Sequence, residues 1–305
     1  MGKNMLYIGN YTYLCYLKYE YICYQSIASM GIRVDIRGII KERSGKNLPS
    51  WITYPLERLI HQQELNQMLE QVEGFDHKQT LDHVLRSWNM TCEPIFTTPL
   101  DKNERYIFAS NHPFGGLDGM LLIQLLQREW DDVGAIVNNL LMAIAPLSPY
   151  WVPINKFGRQ NSNASQLYDA ALGSPTKQIL TFPAGACSRP INGSVVDTEW
   201  KFRFVKDAVR YNRKIVPVYV EGQLSWRFYT LYRLRKFFGV GVNIEQGLLV
   251  DEMFRQQGKH IRVVFGAPVD VQALEGTFAE KALEMRRRTY ELQKYLTDEA
   301  NNIAR

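Results

Sequence analysis

Tyr106-Ile107-Phe108-Ala109-Ser110-Asn111-His112-Pro113-Phe114-Gly115-Gly116-Leu117-Asp118 is a strand running into a turn. Its first four residues make an apolar run of the buried-strand kind, and an apolar-periodic helix follows from Met120 to Trp130. A histidine and an aspartate are held in the short glycine-bearing turn between these two rigid elements. Imidazole titrates near neutrality and a carboxylate can fix its tautomer, so such a turn suits a general base and its orienting group. Alone, a His-x5-Asp pair is weak, because that spacing arises often by chance. The segment Phe182-Pro183-Ala184-Gly185-Ala186-Cys187-Ser188-Arg189 strengthens it. This segment also follows a strand-like run, Gln178-Ile179-Leu180-Thr181, and it offers glycine, hydroxyl and guanidinium in one loop.

Outward from these loops the chain alternates. Strands are expected at 106–109, near 134–137, at 178–182, 214–220 and 261–265, and helices at 118–130, 138–145, 162–172 and 200–212. That alternation predicts an α/β sheet with helices on its faces. Upstream, Pro55 opens an amphipathic stretch that continues through Leu69, and a second helix from Lys78 to Trp88 places Leu81, Val84 and Leu85 on one face. The two are expected to form a helical hairpin packed on the core. A C-terminal helix from about Phe278 to Ile303 reads as a surface helix. The expected division is a Tyr-rich extension (1–29), a helical N-terminal region (30–94), a core (95–275) and the C-terminal helix (276–305).

The chain has 305 residues, 46% of them hydrophobic, enough for one large α/β core with a small helical appendage. Its net charge of +5 and pI near 8.9 suit an anionic membrane surface or phosphate-bearing substrates. Nucleic acid is disfavoured, because acids are interleaved with the bases throughout. Cys15, Cys23, Cys92 and Cys187 lack metal-ligand spacing, and a reducing setting accounts for them most simply. His61, His77, His83 and His260 are scattered, so no metal site is expected. The most apolar stretch, Val133 to Ile154, is broken by Asn138, Asn139, Pro146, Pro149 and Pro153, so no bilayer span is expected. Residues 1–29 carry Tyr7, Tyr11, Tyr13, Tyr16, Tyr19, Tyr21 and Tyr24, interrupted by Lys18 and Glu20. They read either as an interfacial aromatic segment or as sequence preceding a translation start at Met30.

The two loops, in this order, resemble the signature of the glycerophospholipid acyltransferase (PlsC-like) superfamily, Asn-His-x4-Asp followed by Phe-Pro-Glu-Gly-Thr-x-Ser. The resemblance covers roughly Ile95 to Pro268. It includes a second block at Val152-Pro153-Ile154-Asn155-Lys156-Phe157-Gly158-Arg159 and a fourth at Lys214-Ile215-Val216-Pro217-Val218-Tyr219. The chain departs from the pattern in having five residues between His112 and Asp118, and Ala184 where the family usually has Glu. Both departures are similar to the hemolysin-like branch, which includes acyltransferases of ornithine and glycine lipids.

The resemblance implies a mixed α/β sheet flanked by helices, of the glycerol-3-phosphate acyltransferase type. It implies transfer of a fatty acyl group from acyl carrier protein or coenzyme A to a lyso-lipid or amino-acid lipid. Lysophosphatidic acid is the alternative acceptor, and a catalytically silent lipid-binding homologue is the reading of another class. His112 is the expected base and Asp118 its partner. Asn111, Gly115, Gly116, Arg159, Gly185, Ser188 and Arg189 are expected around the substrate, the backbone N–H groups near Gly185 and Ser188 also serving a tetrahedral oxyanion. Transfer is expected to be direct and free of cofactors, with Cys187 the rival covalent nucleophile. Pro217 reads as tunnel wall or as the end of a strand pairing, and Glu221-Gly222 as a turn. Attachment is expected to be peripheral, on the cytoplasmic face of the membrane. The aromatic and basic stretch Trp226–Phe238 is then the docking surface, with Arg227, Arg233, Arg235 and Lys236 toward anionic head groups.

Overall fold

The structure is a computed structural model that describes residues 33–45, 47–138, 145–154, 162–241 and 243–296. The Tyr-rich extension and Arg159 therefore lie outside the described residues, as does nearly all of the helix expected at 138–145. Four helices open the described chain, where the sequence suggests a hairpin: α1 (Ile36–Ser44), α2 (Ser50–Leu59), α3 (Gln62–Gln71) and α4 (His77–Ser87). Pro55 sits inside α2 instead of opening it. The expected stretch splits at His61, whose left-handed backbone (φ 51°) ends the first helical path and starts the second. Helix α4 begins with a capping box between Asp76 and Gln79, and it buries Leu81, Val84 and Leu85 as their spacing predicts.

The core follows as β1 (Thr91–Phe96), β2 (Tyr106–Ser110), α5 (Gly116–Leu126), β3 (Val133–Asn138), β4 (Trp151–Ile154), α6 (Ser162–Gly173) and β5 (Gln178–Thr181). A small hairpin, β6 (Arg189–Ile191) and β7 (Ser194–Val196), leads to α7 (Arg203–Arg210) and β8 (Lys214–Val220). Then come α8 (Trp226–Phe237), α9 (Leu249–Phe254), β9 (His260–Phe265) and α10 (Phe278–Glu291). Strand β1 begins within the expected helical region, so the boundary placed at residues 94 and 95 falls inside a strand.

The main sheet has seven strands in the order β1-β9-β8-β2-β5-β3-β4. All pairs are parallel except β8 with β9. Central β2 is buried along its whole length, which explains its unbroken apolar reading. Tyr106 and Phe108 join the core layer of α4, α5 and α8, while Ile107 and Ala109 join that of α6, α7 and α10. Pro217 does not end a pairing. It lies opposite Ala109 of β2, and its carbonyl accepts the N–H of Gly266 at 2.9 Å. Helix α10 buries Ala282, Met285 and Thr289, so it closes the second layer and is more than a surface helix.

Adjacent strands β2 and β5 send their chains to opposite faces, β2 into α5 and β5 toward α7. Such a switch point opens a crevice beyond the carboxyl ends of the strands. Arg213 helps to hold the opposite ends. Its buried guanidinium donates to the carbonyls of Ala171, Leu172, Ser174, Lys177 and Tyr106, several of them at the C-terminus of α6, where a cation is favoured. Arg213→Met leaves these carbonyls without their donor. The variant is expected to lose about 3 kcal/mol of stability, read as a lower urea midpoint at unchanged slope. A midpoint equal to wild type would show that Arg213 carries none of this load.

Candidate active site

The carboxyl ends of the adjacent strands β2 and β5 bring the two loops together. His112 leaves the end of β2, and its Nδ1 lies 2.9 Å from Asp118 Oδ2 in the first turn of α5, an oblique approach. The same carboxylate oxygen accepts the N–H groups of Phe114 (2.9 Å) and Gly115 (3.0 Å). Gly115 makes this possible, since at φ +76° a side chain would be strained and its Cβ would stand 3.1 Å from Cys187 Sγ. The extra residue relative to the family pattern is taken up in this turn, and the His–Asp contact survives it. Asp118 has no exposed surface. Burial raises its carboxyl above the ordinary range, and the His112 contact and the Phe114 N–H pull it back. Nε2 is the ring nitrogen turned away from this pair, and the imidazole stacks on Phe182 of the second loop at 4.1 Å.

The loops also meet through the backbone. Ser188 N–H donates to the His112 carbonyl at 2.8 Å, and Gly185 N–H donates to the Phe182 carbonyl at 2.9 Å. Those two N–H groups, expected to face a developing oxyanion, thus have partners inside the fold. Asn111 is equally engaged: its amide gives Nδ2 to the Val220 carbonyl (2.9 Å) and takes the Val220 N–H (2.7 Å), bridging the ends of β2 and β8 like one more ladder rung. Gly116 begins α5 against Met253 without unusual backbone. Gly222, in the segment read as a turn, is there for space: a Cβ would fall 2.0 Å from the Phe114 ring.

Two basic residues turn inward, contrary to expectation. Arg189 is buried, donating to the Cys187 and Ser188 carbonyls and pairing with Glu245 at 3.2 Å. Arg235, expected to face lipid head groups, is also buried and pairs with the same Glu245 at 2.8 Å. One carboxylate in a solvent-free pocket draws in both guanidiniums, because a lone buried charge would be far costlier. Ala184, where the superfamily signature usually has Glu, packs in the apolar layer with Val152 and Trp200.

Asp197 stands in no motif of the sequence. It lies at the end of β7 with no exposed surface, and it touches both loops. The only signal was an acid after an apolar pair, Val195-Val196, which is too common to single out. Cys187 is buried, and that burial pushes its thiol up to about 12.

Residues 41–299 match the acyltransferase family. This chain belongs to that family. The acyltransferase is 34% identical over 246 residues to the lyso-glycine lipid O-acyltransferase of Bacteroides thetaiotaomicron, covering 79% of this chain and 90% of the relative. It is 33% identical over 248 residues to the protein of the same name from Phocaeicola vulgatus, covering 80% and 88%. The crystal structure of the 1-acyl-sn-glycerophosphate acyltransferase PlsC from Thermotoga maritima aligns with 80% of this chain and 98% of that one, at 12% identity and a TM-score of 0.40.

A thiol held near 12 stays protonated at neutral pH and is a poor nucleophile. The acyltransferase with Cys187→Ala is therefore expected to keep most of its turnover. Native enzyme mixed with thioester donor alone should show no acyl adduct by intact mass, whereas a stoichiometric thioester at Cys187 would establish a covalent route.

Proposed function

We propose that this acyltransferase moves a fatty acyl chain from a thioester donor, acyl carrier protein or coenzyme A, to the free hydroxyl of a lyso-lipid with an amino-acid head group, glycine being the first candidate. The observation that carries the chemistry is the 2.9 Å approach of His112 Nδ1 to buried Asp118. The two relatives named for lyso-glycine lipid support the acceptor. In this reading Asp118 fixes the ring so that Nε2 faces the acceptor. Nε2 takes the hydroxyl proton as that oxygen attacks the thioester carbonyl carbon. The tetrahedral centre collapses with loss of the C–S bond, and the imidazolium returns its proton to the departing thiolate. The ester and the free thiol are the products, and Asp118 stabilises the transient cation.

His112→Ala and Asp118→Asn are expected to lower turnover by about 10²–10⁴-fold while leaving the thermal melt close to wild type. The assay is transfer of labelled acyl groups to a panel of lyso-lipids. A folded His112→Ala enzyme with more than about a tenth of the wild-type rate would remove the base from this scheme. Faster transfer to lysophosphatidic acid than to lyso-glycine lipid would reassign the acceptor.

The acceptor lives in a bilayer, and among the described residues no helix is long and apolar enough to cross one. We infer peripheral attachment to the cytoplasmic face through α8. That helix exposes Trp226, Arg233, Leu234, Lys236 and Phe237, with Phe238 just beyond its end. Arg235 is spent on Glu245, and Arg227 is held by Asp251 at 3.0 Å. Arg233 and Lys236 remain on the outer face as the cations for anionic lipid, each worth about 1 kcal/mol near a charged surface. Changing both to Gln is expected to weaken co-sedimentation with anionic vesicles on the order of thirtyfold at low salt, and less at high salt. Activity on detergent-dispersed acceptor should persist. Equal sedimentation of variant and wild type would move the docking surface elsewhere.

A further inference from the structure

Asp197 belongs to neither loop, yet one of its oxygens joins them. Oδ1 accepts the His112 main-chain N–H at 3.1 Å and the Ser188 hydroxyl at 2.6 Å, while Oδ2 accepts the Trp200 indole N–H at 2.9 Å. Its own backbone is fixed from α10. The Asp197 N–H donates to the Tyr290 hydroxyl at 2.6 Å, and its carbonyl accepts from Arg286 at 2.7 Å. We propose that Asp197 is the positioning residue of the acyl-transfer site, setting the His112 main chain so that its ring meets Asp118 on one side and the acceptor on the other. This rests on the reading of His112 as the base.

The geometry argues for a role beyond general stability. His112 is anchored at both main-chain polar groups, its N–H on Asp197 and its C=O on the N–H of Ser188. The Ser188 side chain returns to the same Asp197 oxygen, closing a ring of hydrogen bonds around the base. The imidazole stacks on Phe182 with 27° between the ring planes, so a shift of the His112 backbone would change the distance of the ring from Asp118. An oxygen that accepts from both loops fixes their separation, and a shift of about 1 Å at a reacting group can cost on the order of a hundredfold in rate. The carboxylate is buried, and its three donors, a main-chain N–H, a hydroxyl and an indole N–H, are all neutral. Among the described residues it has no salt-bridge partner, and burying a carboxyl group in that way is expensive where only packing is needed. Ser188 thereby acquires a part different from substrate contact, since both its hydroxyl and its N–H serve the support of His112.

The test compares kcat, KM and melting temperature for Asp197→Ala, Asp197→Asn and the pair Asp197→Asn with Trp200→Phe. Asp197→Ala is expected to lower kcat about a hundredfold with KM changed less than threefold. Asp197→Asn keeps a carbonyl for His112 and Ser188 but turns an N–H₂ toward the Trp200 N–H. It should lose about tenfold, most of it recovered when Trp200→Phe removes the opposing donor. If Asp197→Ala does not fold, Tyr290→Phe frees the Asp197 backbone without touching the carboxylate, and a threefold to tenfold fall in kcat at unchanged KM is expected. Hydrogen exchange at the His112 amide supplies a readout that does not depend on which lipid is acylated. That amide should be protected in wild type and should exchange more than tenfold faster in Asp197→Ala, or in Tyr290→Phe where the alanine variant does not fold. Unchanged exchange overturns the proposal even if the acceptor assignment is right. A folded Asp197→Ala enzyme with at least half the wild-type kcat, or a rise in KM matching the fall in kcat/KM, overturns it as well. Lost protection together with an inactive wild type on every lyso-lipid would instead fault the acceptor assignment.

Discussion

A carboxylate with no access to water governs the arrangement around it. Asp118 is buried beneath the His112 ring, and ionising a carboxyl there is costly unless donors are already in place. The chain supplies them from its own turn: Phe114 N–H and Gly115 N–H point at Oδ2, and the first turn of α5 adds the positive end of a helix. Gly115 must take a positive φ for that turn to close. Phe114 must then be accommodated across the crevice, which fixes a glycine at 222, and Cys187 fills the space left beside Gly115. The position of one acid thus constrains residues on three separate segments.

A second buried charge ties the site to the helix proposed for membrane docking. Glu245 receives Arg189 from the end of the second loop and Arg235 from α8, and the Arg189 guanidinium lies 4.8 Å from the centre of the Phe228 ring on the same helix. Such a triad adds little net stability compared with apolar packing, but breaking it leaves an unpaired buried charge, so it specifies one arrangement. It holds the loop behind His112 and the inner face of α8 in one register. The outer face of that helix is left with its aromatic residues and two cations exposed.

The support for the site comes from all parts of the chain. Sheet register places the ends of β2 and β5 side by side, the Asn111 amide joins β2 to β8, and α10 reaches back through Tyr290 and Arg286. Burial pushes the Cys187 thiol up, and its Sγ packs beside Gly115.

By itself the sequence determined the strand–turn–helix around His112, the strand before Phe182 and the apolar faces of α4. These rest on period, turn chemistry and capping, which act between residues close in the chain. It also determined that His112 and Asp118 would meet, because only a short glycine-bearing turn separates them. Only the tertiary structure decided which polar residues were free. Asn111, Ser188, Arg189 and Arg235 each look available in a linear reading. Their partners Val220, Asp197 and Glu245 come from other segments, so hydrogen-bond satisfaction in the interior could not be read locally. Asp197 is not distinguished locally for the same reason: what sets it apart is where the small β6–β7 hairpin and α10 place it. The single helix expected from Pro55 to Leu69 likewise broke at His61, where stacking on Phe254 (4.1 Å) and a 3.0 Å contact with Asp251 outweighed local helical propensity.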